Sequence, residues 1–373
     1  MHLSPTKLVL FLSFFLSSSL AASIGVTYAP CPIADICDHD TVVSTLLSLG
    51  VSHVRIPDPN PAIIRSFSYS GISLLVSIPN AYLLPIARNR SNAIEWLHTH
   101  IVPYYPRARI TAISVGNDIL TSLPHFSAFL LPAVQNVYLA LQEVGIRKIS
   151  VSTAHSFDLI RNPFPPSSAR FQESSMESVI KPLLSFISAI NSSFLISAHP
   201  YELYRSMPEI PIGFALFQEH PFSFRDDRVT GVRYRNLFDV MVDAAINAIA
   251  AAGHDGIHVV VAETGWPSDG DVNEPDATQL FAGMYIAGLV NHVNSGRGSP
   301  LRREGAAEIY IFELFDEEKK SGRASSRHWG VLNSNMTCKY KVDFSGSDRP
   351  SRLWAVELVL RFCLVVSLLW YYL

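Results

Sequence analysis

Eight short apolar stretches alternate with longer amphipathic ones, and this alternation constrains the fold more than any other feature of the sequence. The short stretches are continuously apolar, as strands are when both faces of a parallel sheet are buried. They span residues 24–28, 53–56, 72–78, 110–115, 149–152, 194–198, 257–262 and 308–312. The intervening segments, which carry apolar residues at helical spacing, span residues 41–49, 91–101, 126–144, 175–190, 237–252 and 277–293.

A chain of alternating strands and helices can form a doubly wound sheet or a (β/α)8 barrel. The sequence shows no glycine fingerprint for phosphate binding, which doubly wound nucleotide-binding sheets carry after the first strand. Eight units without that fingerprint favour the barrel. We therefore predict an α/β fold, a single-domain (β/α)8 TIM barrel that occupies residues 24–345.

The composition excludes several classes of protein. The 29 Lys plus Arg and 32 Asp plus Glu give a net charge of −3, which is too balanced for binding nucleic acid by phosphate neutralisation. Apolar residues make up 48% and charged residues 16%, which excludes a mostly disordered chain. The 4 cysteines form no paired CxxC zinc motif, and His155 and His199 lack a matching ligand set, so we expect no metal.

The N-terminus has the features of a secretory signal peptide. An apolar, serine-containing run at residues 8–20 follows Lys7, and the small residues Ala21, Ala22 and Ser23 come next. We predict a signal peptide over residues 1–23, with cleavage after Ser23. The alternative is a membrane anchor, for which the apolar run is short.

The C-terminus has a second apolar segment, at residues 353–373. Small residues at 345–347 and a polar spacer at 348–352 precede it, which is the order of a GPI-anchor signal. Glu357 and Arg361 interrupt the apolar run, so a retained membrane helix and an amphipathic tail stay open for residues 346–373. We expect a monomer that is secreted to the cell wall or the outer face of the plasma membrane.

Secretion makes disulfide bonds and N-glycosylation available to the chain. Cys31 can pair with Cys37, and Cys338 can pair with either of them, so the pairing stays open. The sequence has sequons at Asn89, Asn191 and Asn335.

In a (β/α)8 barrel the chemistry lies at the C-terminal ends of the strands. Here those ends carry carboxylates, amides and aromatic side chains, within residues 28, 55–58, 116–118, 199–201, 263–266 and 313–317. Carboxylates can protonate a glycosidic oxygen and attack an anomeric carbon, and aromatic faces contact sugar rings. The strand ends therefore predict sugar chemistry.

The same stretches resemble plant β-1,3-glucanases of glycoside hydrolase family 17. The similarity is strongest at residues 259–268 (VVVAETGWPS) and continues at 102–105 (VPYY), 151–165, 234–243 and 310–317 (YIFELFDE). The resemblance implies a (β/α)8 barrel of retaining endo-hydrolases that act without a cofactor, since two carboxylates and water suffice. It covers nearly all of residues 24–346.

The resemblance also implies roles for single residues. Glu263 matches the nucleophile, Asp118 stands at the position of the acid/base, and Asn117 matches an amide that bonds a sugar hydroxyl. We predict further substrate contacts at Tyr28, His199, Tyr201, Trp266, Phe315, Glu317 and Lys320. The alternatives are core packing for Trp266 and a supporting ion pair between Glu317 and Lys320.

The chain departs from the family pattern around this cleft. The family has Glu where this chain has Asp118, and the shorter side chain draws the carboxyl back by about 1.5 Å. The other departures, which are all close to the predicted site, are Ala29, Pro57, Ser197, His199 and Glu313. We predict a secreted endo-β-1,3-glucanase acting on callose-like glucan. The alternatives are a catalytically impaired glucan-binding wall protein, and a glycosidase or transglycosylase of another linkage preference.

Overall fold

The computed structural model describes residues 23–29, 38–218, 220, 223–317, 321–341 and 344. Residues 1–22 of the predicted signal peptide, all of residues 346–373, Cys31, Cys37 and Lys320 lie outside these residues. The boundaries predicted for the signal peptide and the tail therefore stay predictions, as does every disulfide pairing. Among the described residues, no helix is both long and apolar enough to cross a bilayer.

Eight parallel strands close into a barrel, which confirms the predicted fold. In chain order, β1 to β8 are Ser23–Thr27, His53–Ile56, Ser73–Ile78, Arg109–Asn117, Ser150–Ser156, Phe194–Ser197, Val259–Thr264 and Glu308–Ile311. Each strand pairs with its neighbours in sequence, and β8 closes on β1 with Ile24 opposite Ile309. This connectivity brings all eight C-terminal strand ends to one rim.

Helices connect the strands, and the described part of the chain contains nine with six or more residues. In chain order, α1 to α9 are His39–Ser48, Pro61–Ser66, Leu83–Arg88, Arg90–His100, Ser127–Glu143, Lys181–Ala189, Pro200–Ser206, Leu237–Ala251 and Gln279–Asn294. Shorter helices are Ile119–Ser122, Glu173–Ser175 and Ile212–Ala215. Side-chain caps fix several starts, as where Asn236 Oδ1 accepts from Asp239 N at 2.7 Å ahead of α8.

The core has two layers, separated by the wall of the barrel. Val259 and Val261 of β7 pack outward against the helices, in a large cluster that contains most buried side chains. Val260 and Ala262 alternate with them and point into the barrel. The inward cluster is small and consists of Leu75, Ala154, Leu195, Val260, Ala262 and Tyr310.

The structure differs from the sequence prediction mainly between the strands. The helix expected over residues 175–190 is not regular, because a π-helix at Met176–Ile180 separates the short α-helix Glu173–Ser175 from α6, which begins at Lys181. Pro182 has no N–H to donate to the preceding turn, which accounts for the irregular start. Helices α2, α3 and α7 were not predicted, because each has only six or seven residues.

Candidate active site

Strand β4 ends in an irregularity that turns Asn117 and Asp118 toward the centre of the rim. The register to β5 shifts by one residue between Ser114 and Asn117. Such bulges re-aim side chains and occur beside active sites. Asp118 then adopts a left-handed conformation, with φ at 53°, and its N–H donates to Ala154 O at 3.0 Å. Asp tolerates this conformation better than most residues.

Strand β7 presents Glu263 by the same means. The register to β6 shifts between Val261 and Glu263. Ala262 and Glu263 therefore both point into the barrel, although neighbouring residues of a strand normally face opposite sides. Thr264 returns to the outer face, where its hydroxyl lies 2.6 Å from the Tyr285 hydroxyl of α9. Gly265 follows, and a Cβ there would collide with Phe312 O. Only a glycine at this position lets the chain pass so close to the Phe312 carbonyl.

Arg55, at the end of β2, joins the two strand ends. Its side chain is 1% exposed, and Nη1 forms an ion pair with Glu263 Oε1. Nη2 donates to Asn117 Oδ1 at 2.8 Å, and Asn117 Nδ2 donates to Asp118 Oδ2 at 3.0 Å. A continuous chain of polar contacts therefore runs from Glu263 through Arg55 and Asn117 to Asp118.

The surroundings of Asp118 favour its protonated form. Burial raises the pKa of Asp118 to about 7, with a further increase from the Glu263 charge and an opposing decrease from Arg55. Asp118 Oδ1 is buried and has no hydrogen-bond partner among the described residues. An ionised Oδ1 would lack a donor, whereas a protonated one can donate to a bound molecule.

Asn80, in the short 3₁₀-helix that follows β3, supports the backbone of Asn117. Its Oδ1 accepts from Asn117 N at 2.7 Å, and its Nδ2 donates to Asn117 O at 3.0 Å. Both backbone groups of Asn117 are thus fixed by one side chain. Because Asn117 holds Asp118, Asn80 positions the carboxyl from outside the cleft.

His199, at the end of β6, approaches Glu263 from the side opposite Arg55. Its Nε2 lies 3.5 Å from Glu263 Oε2, and the two side chains are 21% and 12% exposed. The imidazole ring stands edge-on to Trp329, at a centroid distance of 5.0 Å. The structure therefore brings Asn117, Asp118, His199 and Glu263 together, as the sequence predicts.

The predicted aromatic contacts lie deeper in the protein. Trp266 is buried, and its Nε1 donates to Asp276 O at 2.8 Å. Tyr201 packs edge-on against Trp266 at 5.0 Å and is itself buried. Packing is therefore their visible role, which was the alternative weighed for Trp266, and substrate contacts by both residues stay predictions.

Tyr28 and Phe315 pack together at 6.4 Å below the rim. The Tyr28 hydroxyl bonds His39 Nδ1 at 2.8 Å, and burial raises the pKa of Tyr28 to about 12. Glu317 is half-buried, and its N–H donates to Arg327 O at 3.1 Å. Lys320 lies outside the described residues, so its pairing with Glu317 and its place at the cleft stay predictions.

The sequence analysis assigned no role to Arg55 or Asn80. Arg55 interrupts a buried strand, HVRI, and an arginine there requires a partner, which is a signal that the sequence contains. Asn80 follows Pro79 and carries no comparable signal. Within the described ranges, no group of three or more His, Cys, Asp or Glu side chains could hold a metal ion.

The barrel and its rim define a class of protein. A carboxylate paired with a buried arginine and a carboxyl whose pKa is raised to about 7, placed on two strands of one (β/α)8 barrel, form the type of site that glycoside hydrolases use. The sequence profile of glycosyl hydrolases family 17 matches residues 24–344, and the chain belongs to that family.

Similar proteins agree with this assignment. Glucan endo-1,3-beta-glucosidase 12 of Arabidopsis thaliana is 37% identical over 90% of this chain and 62% of its own length. Glucan endo-1,3-beta-glucosidase 2 of the same plant is 39% identical, with 88% and 65% covered. The chain thus spans less than two thirds of either relative. A β-1,3-glucanase and allergen of Cryptomeria japonica pollen superposes with a TM-score of 0.81, at 34% identity, over 86% of this chain and 99% of its own.

Proposed function

We propose that the protein hydrolyses internal β-1,3-glucosidic bonds of a β-1,3-glucan, with retention of configuration at the anomeric carbon. The names of its relatives support the substrate class, since they are called glucan endo-1,3-beta-glucosidases and a β-1,3-glucanase. The pair of carboxyls at the rim supports the reaction, because glycosidases require one acid and one carboxylate.

In the first step, Asp118 acts as the general acid. It donates the proton on Oδ1 to the glycosidic oxygen while Glu263 attacks the anomeric carbon. The bond to the leaving sugar breaks, and an ester forms between Glu263 and the remaining chain. Arg55 keeps Glu263 ionised before the attack, and Asn117 holds the other oxygen of Asp118.

In the second step, the ionised Asp118 takes a proton from water, and the water oxygen attacks the same carbon. The ester to Glu263 breaks, and both carboxyls return to their starting states. Two inversions at one carbon give net retention. The Arg55 guanidinium lowers the pKa of Asp118, which favours the ionised form needed here.

The single observation that carries this proposal is the contact chain from Glu263 through Arg55 and Asn117 to Asp118. It links two carboxyls whose surroundings differ, since Arg55 pairs with Glu263 whereas burial raises the pKa of Asp118. The experiment is hydrolysis of laminarin by the purified chain, with Glu263→Ala alongside. New reducing ends that depend on Glu263 are expected, whereas equal activity of the variant would reject the assignment.

A catalytically impaired glucan-binding protein is the second candidate. Asp118 favours it, because the side chain is short and its backbone is left-handed. Asp118→Glu separates the two candidates. If the carboxyl is only too short, the longer side chain raises turnover. If the cleft binds without cutting, Asp118→Glu leaves turnover near zero while laminarin binding persists. A different linkage preference would appear as products from another glucan in a panel.

We further propose that the protein is a secreted monomer, at the cell wall or on the outer face of the plasma membrane, with a signal peptide over residues 1–23 and a GPI signal in 346–373. The sequon residues Asn89, Asn191 and Asn335 are all exposed, which supports glycosylation during secretion. Release from intact cells by a phosphatidylinositol-specific phospholipase C tests the anchor. A retained membrane helix would leave the protein bound.

A further inference from the structure

His199 lies beside Glu263 Oε2. Its Nε2 lies 3.5 Å from Oε2, whereas the guanidinium pairs with Oε1. This distance is longer than that of an N–H···O hydrogen bond, which is about 2.7–3.2 Å. Catalytic hydrogen bonds are often long before substrate binds and shorten afterwards. Two nitrogen-bearing side chains thus approach one carboxylate from two strands.

The backbone fixes the imidazole in this place. Ser197 pairs with Glu263 in the strand register, and Ala198 N donates to Glu263 O at 2.8 Å. The ring is edge-on to Phe312 at 5.8 Å and to Trp329 at 5.0 Å. The aromatic rings and the two backbone contacts leave His199 little freedom to turn away from the carboxylate.

The second ring nitrogen decides which tautomer the site accepts. His199 Nδ1 is buried and has no hydrogen-bond partner among the described residues. A proton on Nδ1 would bury an unsatisfied N–H, which is costly. A proton on Nε2 is instead on the nitrogen that lies 3.5 Å from Glu263 Oε2, and it can be donated when this contact shortens. The burial of Nδ1 therefore favours a proton on Nε2.

We propose that His199 is a positioning residue that holds the Glu263 carboxylate through its Nε2–H. Arg55 supplies a positive charge beside Glu263, and His199 fixes the orientation of the attacking group. Asp118 also lies near this centre, since its pKa depends on the charges of Glu263, Arg55 and His199. This inference rests on the proposed function, because it assigns Glu263 as the nucleophile.

Two variants test the role. His199→Phe keeps an aromatic ring without a donor, and His199→Gln places an amide N–H near the position of Nε2. The probe is a 2-deoxy-2-fluoro laminaribiosyl fluoride, whose anomeric C–F bond breaks as Glu263 forms an ester and fluoride leaves. We expect labelling to slow about 10- to 100-fold in His199→Phe and only about threefold in His199→Gln.

Labelling of His199→Phe at the wild-type rate would overturn the proposal, as would equal slowing of both variants. A second measurement separates it from the proposed function. The ¹⁵N NMR signals of the wild-type imidazole should show a proton on Nε2 only, with a shift of Nε2 in Glu263→Gln. A proton on Nδ1 would overturn the proposal about His199, whether or not the wild-type protein is labelled. Absence of labelling in the wild-type protein would instead reject the proposed function.

Discussion

The ends of β4 and β7 are built alike and yet hold their carboxyls in different states. Both strands lose register just before the carboxyl residue, which turns it toward the centre of the rim. Asp118 then receives one amide donor on Oδ2, whereas Glu263 receives a guanidinium on one oxygen and an imidazole near the other. Burial dominates at the first end and charge pairing at the second.

This difference places two similar side chains of one rim in different electrostatic surroundings. A buried carboxyl with few donors stays protonated, and a carboxyl beside a cation stays ionised. The two states depend on each other, since the Glu263 charge contributes to the raised pKa of Asp118. Substitutions at either strand end should therefore change the difference between the two carboxyls in predictable ways.

The largest effect is expected from removing Glu263, the ionised end. Glu263→Ala should lower the hydrolysis of laminarin by at least about 10⁴-fold, because the attacking group is lost. Added azide should restore turnover of an activated aryl glycoside and give the α-glycosyl azide, since one displacement inverts the anomeric carbon. Product stereochemistry by NMR is the measurement.

Asp118→Ala is the matched test at the other end. Azide should give the β-glycosyl azide there, because the ester to Glu263 still forms first. The surface variant Glu177→Gln, which alters an exposed pair with Lys181, should behave as wild type. Identical azide products from both cleft variants would contradict the assignment of roles.

The next largest effect is expected at the bridge between the two ends. Arg55→Lys keeps a positive charge but cannot contact Glu263 and Asn117 together, because a lysine has a single donor group. We expect kcat on laminarin to fall about 10²-fold. Arg205→Lys is the control, since Arg205 pairs with Glu274 and not with the cleft carboxyls. Equal losses in both variants would show that the bridge has no special role.

A stability measurement tests the protonated end without any activity. The pKa of Asp118 is about 7 in the folded protein, above its unfolded value, so the folded state binds more protons between about pH 4 and 7. Its contribution to stability is therefore present at low pH and is lost as the pH rises through about 7. Asp118→Asn removes this loss and also suits the left-handed backbone.

We expect Asp118→Asn to stabilise the protein by a few kcal/mol more at pH 8 than at pH 4. Urea denaturation at the two pH values, with wild type alongside, measures the difference. A gain that does not change with pH would mean that Asp118 is already ionised in the folded state.

The smallest effect is expected at Asn80, which supports Asn117. Asn80→Ala removes hydrogen bonds of 2.7 and 3.0 Å and should lower kcat about 3- to 10-fold. Asn136→Ala is the control, because Asn136 also donates to backbone carbonyls, those of Ile86 and Ala87, but away from the cleft. Asn136→Ala should lose stability and keep the wild-type kcat. A similar kcat for both variants would contradict the supporting role of Asn80.

The barrel was predictable because buried parallel strands have continuously apolar sequences. The prediction of His53–Ile56 matches β2, and the other strands agree within a few residues. The strand ends were less predictable. Strand β7 reaches Thr264 and β4 reaches Asn117, in both cases through a register shift, and apolar periodicity contains no signal for a shift.

Within the site, residue types and strand positions identified Asn117, Asp118, His199 and Glu263. The contact between His199 and Glu263 could not be read from the sequence, because it depends on how β6 and β7 are aligned. The burial of Tyr201 and Trp266 was equally hidden, since an aromatic residue at a strand end can face either the cleft or the helices.

The pH dependence of kcat/KM on laminari-oligosaccharides tests the central claim most directly. With Asp118 as the protonated acid, kcat/KM should fall above an apparent pKa of about 7. That fall should be absent when Asp118→Ala cleaves an activated aryl glycoside, whose departure needs no acid. A wild-type kcat/KM that stays constant up to pH 9 would contradict the account. So would a kcat/KM that already decreases as the pH rises through about 4.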